Sequence, residues 1–246
     1  MTREEALAYY QPIRASVRRI LTEAVRVCNQ SDLKRAAKHL GLWADERIIL
    51  PEGDQVVEML SDIALFEPNQ RGRRAYDVFL SNKAPKVGAT ESQVAQRMSA
   101  AFFSLFRCAG HHEVAGVEFE DLLNGGRKLW LMDERMEESA PDAGIFGMRI
   151  FDAGLFHVGF GIAAPTDDET AEFTVQSVTR NGRSPFRHSL AATLYGDCIS
   201  GRTQLAPEIG EAILESLATA LFSTAPSHNS SIVGRTSRRT RTRKSK

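Results

Sequence analysis

The chain has 246 residues, 42% of them hydrophobic, with 31 Lys or Arg against 31 Asp or Glu. That is enough apolar material for a sizeable core, and it excludes a wholly disordered or fibrous chain. The neutral total hides an uneven spread: the last 15 residues carry seven of the bases and no acid, leaving 24 bases against 31 acids before them. An acidic body argues against a broad nucleic-acid-binding face outside that tail.

In chain order, Thr2 and Glu5 form a capping box, and Ala6, Tyr10, Ile13, Val17, Leu21 and Ala24 recur at helical spacing to about Cys28. Pro12 falls inside that pattern and predicts a start or kink there. Ser31 is the expected cap of a second helix that carries Leu33, Ala36, Ala37 and Leu40 and stops at Gly41. A third helix follows Pro51 with Val56, Met59, Leu60 and Ile63, and a short fourth carries Ala75, Tyr76, Phe79 and Leu80. Thr90 and Gln93 open a fifth, which runs through Val94, Met98, Ala101, Phe102 and Leu105.

Five short apolar runs then span Phe103 to Ile162. FSLFRCA is bounded by Gly110, and Val117 and Phe119 alternate with Glu118 and Glu120. Asn124-Gly125-Gly126 turns the chain into KLWLM, and GIFGMRIF and LFHVGFGI flank the hairpin signal Asp152-Ala153-Gly154. These predict a closed five-stranded antiparallel β-barrel, because closure removes exposed strand edges. A helix is expected over Asp167 to Thr179, although FTVQSV is β-branched enough for a strand. Another is expected over Phe186 to Tyr195, and a last one follows Pro207.

The expected organisation is α+β: a helical region over 1–88, a helix plus small β-barrel over 89–165, a C-terminal helical region over 166–223, and a disordered basic tail over 224–246. The amino terminus has no apolar leader, and no run is long enough to span a bilayer. Cys28, Cys108 and Cys198 are odd in number and far apart, as expected of reduced thiols in a cytoplasmic protein.

Several motifs invite a functional reading. DLKRAAKHLGL resembles the first half of a helix-turn-helix, but the acids Asp45, Glu46, Glu52 and Asp54 that follow would be repelled by phosphate. Gly159, Gly161 and Ala164 have dinucleotide-loop spacing, yet Pro165 and Thr166 place the next helix start too late. Glycines that let a tight strand bend are the better account. His111-His112-Glu113 lacks the second His a zinc helix needs, and no metal site or cofactor is implied. Should the chain be an enzyme, Asp121, Asp133 and His157 are its candidate catalytic groups. The tail cations Arg235, Arg238, Arg239, Arg241, Arg243, Lys244 and Lys246 are the candidates for non-specific nucleic-acid binding.

Leu40 to Trp43, Arg47 to Leu50, Ile63 to Glu67, Phe103 to Phe106, Asp121 to Gly126, Trp130 to Asp133 and Gly154 to Phe156 carry a resemblance. The block from about residue 30 to 165 resembles the body of a group of uncharacterised prokaryotic proteins, some of which end in a SEC-C zinc motif. The resemblance implies helices preceding a small barrel and no particular reaction. This chain lacks the Cys-rich zinc element. The favoured reading is a non-enzymatic interaction or regulatory module that binds a protein partner through its barrel–helix surface and involves no membrane. An enzyme of unknown class and a tail-mediated nucleic-acid-binding protein are the alternatives.

Overall fold

The capping box at the start of the chain forms as the sequence predicts. Thr2 Oγ1 accepts from the Glu5 N–H at 3.3 Å, and the Thr2 N–H donates to Glu5 Oε2 at 2.8 Å. From there α1 (Arg3–Arg26) continues past Pro12, and Ala6, Tyr10, Ile13, Val17, Ile20 and Ala24 form its buried stripe. Pro12 therefore neither begins nor ends the helix. The computed structural model describes residues 1–51, 54–83, 89–139, 142–181 and 188–201.

The cap of α2 (Gln30–His39) is Asn29, whose side chain accepts from the Asp32 N–H; Ser31 instead donates its hydroxyl to Asn29 Oδ1. After α2 the chain makes a small hairpin of β1 (Trp43–Ala44) and β2 (Arg47–Ile48), so no helix follows α2 directly. Three helices come next: α3 (Asp54–Phe66), α4 (Ala75–Lys83) and α5 (Ala89–Met98). The fifth helix ends earlier than its apolar spacing predicts, because Phe102 and Leu105 belong to the first long strand.

That strand is β3 (Phe102–His111), followed by β4 (Val117–Asp121), a 3-10 turn (Leu122–Asn124) and β5 (Arg127–Leu131). The connection that follows is partly helical, as α6 (Glu134–Ser139), before β6 (Ile145–Asp152) and β7 (His157–Thr166). The FTVQSV segment is helix, inside α7 (Asp168–Asn181). The final described helix is α8 (Leu190–Ile199), capped by Ser189; Phe186, where the sequence places its start, lies outside the described residues. The helix and tail expected beyond Pro207 lie outside the described residues.

The five long strands pair in the order β3-β4-β5-β7-β6 and close, since β6 returns to β3. One junction departs from the expectation: β5 and β7 are parallel, meeting at Leu131 and His157. The reason is parity. Strand direction cannot alternate all the way round an odd ring, so a closed five-stranded sheet must contain a parallel junction. The β6–β7 ladder slips between Met148 and Ile150, opposite the stretch from Gly159 to Ala163, so the spaced glycines sit in a bulged strand.

Alternation sorts the barrel side chains. Phe106, Cys108, Val117, Phe119, Leu129, Leu131, Met148 and Ile150 fill its interior. Two helical layers cover its outside. Phe151, Phe156, Val158 and Phe160 pack against α1, α4 and α5, while Leu105, Ile145, Ile162 and Ala164 pack against α2, α7 and α8. Helix α3 serves both layers, giving Leu65 and Phe66 to one and Met59, Leu60, Ile63 and Ala64 to the other.

Candidate functional site

The residues singled out from sequence are held by local structure. Asp121 caps the 3-10 turn: its Oδ1 accepts from Ser104 Oγ at 2.5 Å and from the Leu123 N–H at 3.2 Å, and its Oδ2 from Asn124 Nδ2 at 2.7 Å. Asp133 caps α6, with Oδ1 accepting the Arg135 and Met136 N–H groups. His157 opens β7, and its carbonyl accepts from the Met132 N–H at 2.9 Å. Burial lowers the His157 pKa, and the Asp152 charge opposes that shift. No hydrogen bond joins any two of these three among the described residues. Of the paired histidines, His112 stacks on Trp130 at 3.9 Å between ring centroids. The tail cations from Arg235 to Lys246 lie outside the described residues.

A buried ionic cluster sits at the seam between the two helical layers. Arg149, 5% exposed on β6, donates through Nε to Asp62 Oδ1 and Oδ2 at 2.9 and 3.1 Å, and through Nη2 to Glu67 Oε1 at 3.1 Å. Phe66 and Phe103 flank its guanidinium at 5.2 and 5.7 Å. Asp62 lies in the third turn of α3 among apolar neighbours. Burial raises its pKa, and Arg149 pulls the other way. The Tyr195 hydroxyl from α8 lies close enough to Asp62 for that charge to raise its own pKa, on top of a larger effect of burial. It forms no hydrogen bond of normal geometry among the described residues.

Sequence reasoning missed this cluster, although a signal was present. Asp62 is the lone charge in the run from Met59 to Phe66, and Arg149 interrupts GIFGMRIF on the face it shares with Gly147 and Phe151. A single charge on an otherwise apolar face calls for a buried counter-charge.

In front of this cluster opens a cleft of about 630 Å³ between α1, α3 and β7. Its apolar lining is Val17, Leu21 and Val25 of α1, Val57 and Leu65 of α3, and Phe160 and Ile162 of β7. Arg14, Arg18 and Arg26 of α1 and Arg135 of α6 supply the positive charge, against Glu58 and Asp62. Arg14 is fixed by its Nη1 donating to the Gly159 carbonyl at 3.0 Å. Gly161, at φ +92°, makes room for it, since a Cβ there would lie 2.5 Å from Arg14 Nη2. Asp62 is already engaged by Arg149, so the free charge facing the cleft is mainly cationic. No group of three or more His, Cys, Asp or Glu residues suited to a metal ion occurs among the described residues.

A family model described as "Family of unknown function (DUF7986)" matches residues 4–181, well over half of the chain. The chain belongs to this family. No curated protein and no solved structure matches it. Every residue that lines the cleft of this DUF7986 protein lies within the matched span, as do Asp62, Glu67 and Arg149. Helix α8 with Tyr195, and the basic tail, lie beyond it. No helix among the described residues of this DUF7986 member is long and apolar enough to cross a membrane.

Proposed function

We propose that this protein is a non-enzymatic binding module whose α1–α3–β7 cleft takes an acidic amphipathic helix from a partner protein. The observation that carries the reading is the face of α1: Arg14, Val17, Arg18, Leu21, Thr22, Val25 and Arg26 line the cleft at i, i+3, i+4 spacing over three turns. That face is about 18 Å long at 1.5 Å per residue, which suits an elongated occupant better than a compact metabolite. Apolar residues form the floor and arginines the edge, the complement of a helix with a Leu or Ile stripe flanked by Glu or Asp. The buried Arg149–Asp62 pair behind the floor fixes α3 to the barrel and keeps the cleft pre-shaped.

The test is fluorescence anisotropy with a labelled helical peptide carrying a Leu stripe flanked by Glu, alongside a charge-reversed Lys version. The acidic peptide should bind saturably and in a salt-dependent way. Arg18→Glu combined with Arg26→Glu, both exposed positions, should weaken it by at least about tenfold. Equal binding of the two peptides, or an unchanged isotherm in the double variant, would remove the proposal. A small amphipathic anion that binds where neither peptide does would reassign the cleft to a metabolite.

A further inference from the structure

A second concavity, of about 810 Å³, lies between α2, the turn after α3 and the residue preceding the α8 cap. Its lining is more strongly cationic than that of the cleft. Lys34, Arg35 and Lys38 of α2 meet Arg71 there, together with His39 and His188, and Asp32 is the acid that lines it. We infer that this concavity binds a phosphate dianion, free or as the monoester of a small molecule.

The arrangement of charge carries the argument. Lys34, Arg35 and Lys38 fall on one side of α2 at i, i+1, i+4 spacing, where like charges repel one another in the absence of a counter-charge. Asp32 offsets one of these charges. It is buried and meets Arg35 Nη2 at 3.4 Å. Arg35 Nη2 also reaches the Ala64 carbonyl at 3.4 Å, while its Nε and Nη1 find no hydrogen-bond partner among the described residues. Lys34 and Lys38, both exposed, place their ammonium groups 4.6 and 5.9 Å from the Trp43 ring centroid, so the two like charges gather at one ring.

The histidines point the same way. His39 and His188 stack at 4.1 Å between centroids with 17° between planes. Two imidazoles in that geometry resist joint protonation unless an anion compensates them. Burial, then His188 and Arg35, hold the His39 pKa below its usual value, and Glu67 opposes them. The other charged groups around His39 are Lys38 and Arg71, with Asp197 on the α8 side. A dianion bound here would therefore raise the His39 pKa as it binds. Phosphate suits the set because it presents several acceptor oxygens to donors that converge from three directions. The volume exceeds that of one phosphate group, which leaves room for the organic part of a monoester.

The test uses the full chain and two probes, inorganic phosphate and glycerol 3-phosphate, titrated calorimetrically against a chloride reference of matched ionic strength. Both Lys38 and Arg71 are exposed, so Lys38→Ala with Arg71→Ala should leave the fold intact, as circular dichroism would verify. Wild type should bind at least one probe saturably, and the double variant should bind it about tenfold or more weakly. Saturating probe should also raise the His39 titration midpoint, read by NMR from the ring proton, by about one pH unit. Tighter binding of glycerol 3-phosphate assigns the site to monoesters, and equal binding assigns recognition to the phosphate group itself. Heats no different from chloride, binding unchanged in the double variant, or a His39 midpoint that does not move would each overturn the inference.

Discussion

Arg149 and Asp62 set the terms at the scale of single residues. A buried ion pair contributes little net stability compared with a well-packed apolar pair, but removing one member leaves an uncompensated charge. Arg149→Met should therefore cost about 3–5 kcal/mol in urea unfolding, and adding Asp62→Leu should recover much of that loss. The pH dependence has a definite sign. Burial raises the folded pKa of Asp62 above its unfolded value. Its contribution is therefore fully present below the unfolded pKa and is lost as pH rises through the folded one. Against Asp62→Asn, wild type should lose stability as pH climbs out of the ordinary carboxylate range; a rise with pH would contradict this. The sequence marked both residues as charges on apolar faces. What it could not supply was the match between positions 87 residues apart.

Among the elements, close approach of backbones decides which substitutions fail. Gly116 sits at φ +76° in the β3–β4 turn, and a Cβ there would lie 2.3 Å from the Leu131 carbonyl oxygen at the end of β5. Backbone cannot yield cheaply, so Gly116→Ala should cost about 3 kcal/mol or more, read as a lower denaturant midpoint. At Gly147 the obstruction is a side chain: a Cβ there would lie 2.4 Å from Leu194 Cδ1 of α8 and 3.0 Å from Phe103 Cζ. Gly147→Ala should accordingly loosen the packing of α8 on β6, and pairing it with Leu194→Ala should relieve part of the cost. Asp133→Ala removes the α6 cap and should cost about 1 kcal/mol. The strands were legible from alternation and turn residues, and Thr2–Glu5 fixed the start of α1. The parallel β5–β7 junction was not, because alternation reports which face a side chain takes and says nothing of neighbours around a closed ring. Helix α6 was hidden for a different reason: its six residues, Glu134 to Ser139, include three acids and read as a solvated connection.

For the whole molecule, the barrel acts as a support. Its interior is filled by its own side chains, so the usable concavities form on its outside, where helices lean against it. In the sequence, Arg14, Arg18 and Arg26 are simply polar positions of an amphipathic helix. That they border α3 and β7 depends on tertiary packing that no local pattern encodes. The most direct measurement of the central claim is an NMR map of backbone amide shifts as the acidic amphipathic peptide is added to the full chain. Perturbations should concentrate at residues 14–26, 57–65 and 160–162 and saturate together with one affinity. Shifts clustered elsewhere on the surface, or none at all at saturating peptide, would contradict it.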